Sequence, residues 1–270
     1  MDAIVKIIIT TGYQLSAILG FFFVIGFILA RIQTLTQKIY YYSIGWRGIL
    51  WTALIGTPVH ELGHYLFCKI FRHRVQSVSL YQPNERTGAL GSVEHTYNPR
   101  SIYQKIGNFF IGAAPLIWGS LALVLLFRFV LPHSEVVLPT VRNLSLETPK
   151  TFLTDVRLIG QSIFSQENFY SVQFWVWLYI SFAIAVHLAP STEDQKTMWR
   201  GLFWIILLLI LVNTIGYFFN HNITQYILRL KAYEGLFIFA FWYALVVSLV
   251  HAIVAFIMLL PIRFLRRLFL

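Results

Sequence analysis

Long runs without a charged residue divide the chain. Residues 7–30, 106–127 and 168–192 contain no Asp, Glu, Lys or Arg, and two longer runs extend over 201–228 and 235–262. A helix rises about 1.5 Å per residue, so roughly 20 residues cross the hydrocarbon core, and each run can hold one crossing. A sixth run, 48–68, is equally apolar apart from Glu61. The pattern predicts an all-α polytopic membrane protein with six transmembrane helices in one domain over 1–270. The spans are expected at about 12–31, 48–70, 106–128, 170–190, 202–220 and 236–260. The first run exceeds a signal-peptide core of about 7–15 residues and no A-x-A site follows, so an uncleaved anchor is expected.

Between the second and third spans the period changes. Val78 and Leu80, then Val93, His95 and Tyr97, alternate with other residues on either side of the turn-like segment Gln82 to Gly88. This predicts a β-hairpin over about 75–97. The loop expected over about 132–170 holds a short amphipathic pattern after Thr148-Pro149, with Phe152, Val156 and Ile159 on one face, as in an interfacial helix.

Composition narrows the class. With 57% hydrophobic and 12% charged residues, the chain carries about half the charge of a soluble domain and too little for disorder. One cysteine excludes a disulfide framework and a Cys-rich zinc module. The net charge of +10 suits basic loops beside an anionic leaflet. No soluble basic stripe with interleaved aromatics points to nucleic acid. Lys and Arg are more numerous in 69–105, 196–200 and the tail Arg263, Arg266 and Arg267 than in the opposite loops. The expectation is an integral membrane protein with the hairpin and both termini cytoplasmic and 132–170 outside.

Chemistry is concentrated in the second span, which reads Thr57-Pro58-Val59-His60-Glu61-Leu62-Gly63-His64-Tyr65. This is H-E-x-x-H. Residues four apart on a helix differ by about 40° and one turn, so His60 and His64 can chelate one metal ion from a single face. Glu61 then stands beside the site as a general base for a water. Chance would give the pattern about 0.007 times in a chain of this composition. An acid at bilayer depth costs about 2.5–3.5 kcal/mol on insertion scales, which favours a functional reason for it.

A third ligand is required. The candidates near membrane depth are His95, His187, Glu193, Asp194, Cys68 and His251. Cys68 shares the face of His64, but three successive ligands on one straight helix diverge from a single ion. The segment His187 to Asp194 breaks the fourth span at Pro190 and then presents two acids. Asp194 is the first choice and Glu193 the second, although Ser191-x-x-Asp194 also reads as a helix start. Two imidazoles and a carboxylate leave one position open for water, as in hydrolytic zinc sites, so one Zn2+ per chain is expected.

These residues resemble the site-2 protease family of intramembrane metalloproteases. The resemblance covers about 50–195 and rests on H-E-x-x-H at 60–64, an aspartate two spans later at Asp194, a hairpin between them and a patch Gly112-Ala113-Ala114-Pro115-Leu116. It departs from the family where Asp194 is followed by Gln195 rather than glycine, and where the nearest asparagine, Asn108, precedes the patch. The resemblance implies a compact member without a sensor domain, in a bacterial cell membrane, cleaving membrane-embedded or membrane-proximal proteins or peptides. Two other readings share the first motif. One is a membrane zinc protease of the prenyl-peptide type, which usually takes a glutamate ligand. The other is a non-catalytic metal-binding or transport protein, which calls for ionisable residues strung across several spans.

Overall fold

The computed structural model describes residues 3–135, 149–219, 221, 223–228 and 234–269. The elements are α1 (Ala3–Ile44), α2 (Trp46–Ile70), β1 (Arg74–Ser79), β2 (Ser92–Thr96), α3 (Ile102–Phe129), α4 (Pro149–Ile163), α5 (Gln166–Phe169), α6 (Val172–Ala185), α7 (Thr192–Phe218), α8 (Thr224–Leu228) and α9 (Glu234–Phe269). The molecule is an all-α membrane protein with one small antiparallel sheet. The expected hairpin is present, with Val78 opposite Val93 and Val75 opposite His95. The amphipathic helix is also present as α4; Thr148 and the 136–147 part of its loop lie outside the described residues.

Four described helices are long and apolar enough to cross a bilayer: α1, α3, α7 and the Ile238–Ile262 part of α9. The expected count of six is thereby corrected. The helix α2 has the length, but its His60-Glu61-x-x-His64 segment, Arg47 and Lys69 dilute its hydropathy. The helix α6 has only 14 residues, about 21 Å of rise, too little for a bilayer core. Conversely α1 runs 42 residues, well beyond the expected 12–31, because charges mark what a lipid tolerates and not where a helix stops. Arg31, inside α1, lies over the Phe27 ring at 4.7 Å. The helix stops at Gly45, whose φ of +74° is a left-handed conformation that glycine adopts without Cβ strain.

Contacts along α3 give the direction of the later elements. From the C-terminal end of α3 to its N-terminal end, Val130 meets Gln173, Gly119 meets Ile184 and Leu188, Gly112 meets Asp194 and Met198, Phe109 meets Gly201, and Lys105 meets Trp204. The short α6, the turn at 186–191 and α7 therefore form one interrupted pass antiparallel to α3. The expected fourth and fifth spans are two parts of that pass, not opposed crossings. In the other direction α1 and α9 run parallel, with Phe21 against Phe241 and Tyr40 bonded to His251. Hence the N-terminal end of α1 and the C-terminal end of α9 point to opposite ends of the bundle.

Packing is tight where backbones meet. Ile25, Leu29, Leu116, Leu123, Ile184, Leu188 and Phe241 form the central core. At one end Gln14 and Asn213 exchange two amide hydrogen bonds of 3.0 and 2.8 Å, tying α1 to α7 at a buried site. A paired amide is tolerated in such surroundings because both its halves are satisfied. At Gly201 a Cβ would overlap the Phe109 backbone. Gly201→Ala is therefore expected to lower stability by about 1–3 kcal/mol through overpacking, measured by thermal unfolding in detergent. Gly160→Ala on α4, where nothing lies within 4 Å, should cost nothing.

Candidate metal centre

Four parts of the chain converge on His60 and His64. The helix α2 carries both on one face, with ring centroids 5.0 Å apart. The Nδ1–H of His60 donates to the carbonyl of His187 at 2.7 Å, and the Nδ1–H of His64 to the carbonyl of Ile111 at 2.8 Å. A carbonyl only accepts, so each neutral imidazole keeps its proton on Nδ1 and turns an Nε2 lone pair inward. Those lone pairs face Asp194: His64 Nε2 lies 3.1 Å from Oδ1 and His60 Nε2 lies 3.4 Å from Oδ2.

This donor set fits a divalent metal. Lone pairs opposed to carboxylate oxygens repel unless a proton or a metal ion joins them. In a tetrahedral zinc site with bonds of about 2.0–2.1 Å, neighbouring ligand atoms are about 3.3 Å apart, a value that lies between the two distances to Asp194. One ligand atom from each of the three residues lies within 4.8 Å of the others.

The interrupted pass positions Asp194. Pro190 ends the turn after α6, and Ser191 restarts the helix with a capping box. Ser191 Oγ accepts from Asp194 N–H at 3.2 Å, and Asp194 Oδ2 accepts from Ser191 N–H at 2.8 Å. The helix-start reading of Asp194 is therefore realised, and the carboxylate that closes the cap is the one that faces the two histidines. Two further contacts fix the height of the turn. Ala189 N–H donates to Gln33 Oε1 at 2.7 Å, and the absent side chain of Gly112 lets α3 approach the Asp194 backbone. The Gly112–Leu116 patch thus lies against the site, and its neighbour Ile111 orients His64.

Glu61 is buried, 7% exposed, and its carboxylate makes no hydrogen bond or ion pair among the described residues. The hairpin covers it. A Cβ at Gly91, the residue before β2, would stand 2.8 Å from Glu61 Cγ.

The other candidates stand elsewhere. Glu193 is exposed and paired with Lys196 at 2.6 Å. Cys68 is buried as a free thiol on α2, outside the cluster. The ring of His187 meets Thr52 Oγ1 at 3.2 Å, and only its carbonyl serves the site. His251 stacks on Phe182 and bonds to Tyr40, and His95 pairs with His73. Sequence reasoning missed the carbonyls of Ile111 and His187 and the approach of Gly91. Backbone groups carry no residue-type signal, although a glycine directly before a strand run is a weak pointer to close approach. No protein-family profile, curated protein or solved structure matches this chain.

Proposed function

We propose that the chain is an intramembrane zinc metalloprotease of the site-2 protease type, acting on membrane-embedded or membrane-proximal protein substrates. The observation that carries this reading is the convergence of His60, His64 and Asp194 with a buried, unpartnered Glu61 beside them. His60 and His64, through Nε2, and Asp194 would hold one zinc ion per chain. When bound, zinc supplies Lewis acidity, polarising a carbonyl and lowering the pKa of a coordinated water to about 7.

The chain's own groups do the rest. Glu61 takes a proton from the attacking water as its oxygen bonds to the scissile carbonyl carbon, then returns the proton to the amide nitrogen as the C–N bond breaks. The His187 and Ile111 carbonyls hold the two imidazoles in register throughout. A substrate helix has its carbonyls engaged in backbone hydrogen bonds, so it must unwind locally to be attacked. The hairpin, with open edges on both strands, offers pairing to an unwound segment as an added strand. Arg72, Arg74, Arg86, Arg100 and Lys105 gather around the hairpin, which supports a cytoplasmic placement for that end of the bundle.

The test is cleavage of transmembrane reporter peptides by the purified full chain in bilayer discs. Cleavage that stops with a chelator and returns with zinc is expected. Stoichiometric zinc without cleavage of any reporter would overturn the protease and favour metal binding or transport. The exposure of Glu193 weighs against the glutamate-ligand alternative.

A further inference from the structure

A second pair of imidazoles meets in the hairpin. His73 lies just before β1, and His95 lies on β2 opposite Val75, so the two are diagonal neighbours across the strands. Their Nδ1 atoms are 3.0 Å apart, and their ring centroids are separated by 5.0 Å, the same as for His60 and His64. Nε2–H of His73 donates to the carbonyl of Gln104 at 2.9 Å. That bond sets the tautomer and points the His73 Nδ1 lone pair at His95. It is the arrangement of both histidines at the metal centre: one ring nitrogen anchored on a backbone carbonyl, the other presented for binding.

The surroundings keep both rings in the form a metal takes. His73 is buried, and the Tyr97 ring stacks on it at 5.2 Å. Burial holds the His73 pKa below the usual imidazole range. Burial pushes His95 down to about 4. Both are thus neutral at pH 7. A separation of 3.0 Å is close to the roughly 3.3 Å between adjacent ligands of a tetrahedral ion.

We propose that His73 and His95 form a second divalent-cation site of the zinc class, completed by water, which clips the two hairpin strands to the first turn of α3. Gln104 is the joint. Its side chain donates to the Arg72 carbonyl at 2.8 Å and accepts from Asn98 N–H at 2.6 Å, so both ends of the hairpin and His73 meet at one residue. Because Gly91 of the same hairpin covers Glu61, an ion held here stiffens the cover of the metal centre. With two protein ligands and no carboxylate, this site binds more weakly than the one at His60, His64 and Asp194. The inference does not depend on the hydrolase reading.

The experiment titrates the metal-stripped full chain in detergent with Zn2+ alone, counting bound metal and following amide exchange of residues 74–96. Wild type should take up two equivalents in a tight and a weaker class, with exchange in the hairpin slowing as the second fills. His95→Gln and His73→Gln should each lose only the weaker class, and the zinc-dependent slowing with it. His64→Ala should lose only the tight one. A wild type that lacks the weaker class, or a weaker class retained in His95→Gln, overturns the proposal and leaves a hydrogen-bonded pair. Because the tight class is counted separately, loss of that class alone counts against the centre at His60 and leaves the hairpin site standing.

Discussion

Glu61→Gln should leave one zinc bound tightly while peptide-bond hydrolysis falls by about 10²–10⁴-fold, the range for a positioned acid–base group. The geometry separates the two effects. The atoms that could hold a metal ion belong to His60, His64 and Asp194, while Glu61 lies outside that group, buried beneath Gly91. Glutamine has nearly the same volume, so the contact with the hairpin survives, but its amide cannot take a proton from water. Stability should not drop, because the substitution removes a buried carboxylate that has no hydrogen-bond partner. The checks are metal content and reporter cleavage on one preparation. Retained cleavage removes Glu61 as the base, whereas lost zinc shows that the carboxylate coordinates.

Much of this site was legible in the residue order because it is local. H-E-x-x-H places two rings on one helical face by period alone, and the hairpin is visible as alternation around Gln82 to Gly88, close to the observed strands at 74–79 and 92–96. The path after residue 170 was not legible. Pro190, Glu193 and Asp194 have the look of a polar loop joining two opposed spans. In the structure the capping box at Ser191 and Asp194 restarts a helix in the same direction as α6. Hydropathy reports how much apolar chain there is but not which way it runs. Direction came from Gly112, Gly119 and Gly201, where missing side chains allow α3 to lie against the interrupted pass. Likewise the choice between Glu193 and Asp194 turns on helical phase after the break. The N3 position of the cap turns inward to the histidines, and the residue before it turns outward to Lys196.

On the proposed reading Asp194 carries two loads on one carboxylate, and they can be separated. Asp194→Asn keeps an oxygen able to accept the Ser191 N–H, so the cap should survive with stability little changed. It removes the negative charge facing His64 Nε2 at 3.1 Å and His60 Nε2 at 3.4 Å. Zinc affinity should fall by at least about 100-fold, the upper range for losing even an outer partner of a metal ligand. Ser191→Ala is the complement. It loses the hydroxyl that accepts from Asp194 N–H, which should cost about 0.5–2 kcal/mol of stability, while the ligand atoms stay in place and zinc stays bound. The pair is read by metal titration and thermal unfolding of both variants. Unchanged zinc affinity in Asp194→Asn would mean that the carboxylate closes a helix and nothing more. The two imidazoles would then lack a third protein ligand, because no other His, Cys, Asp or Glu among the described residues joins their cluster.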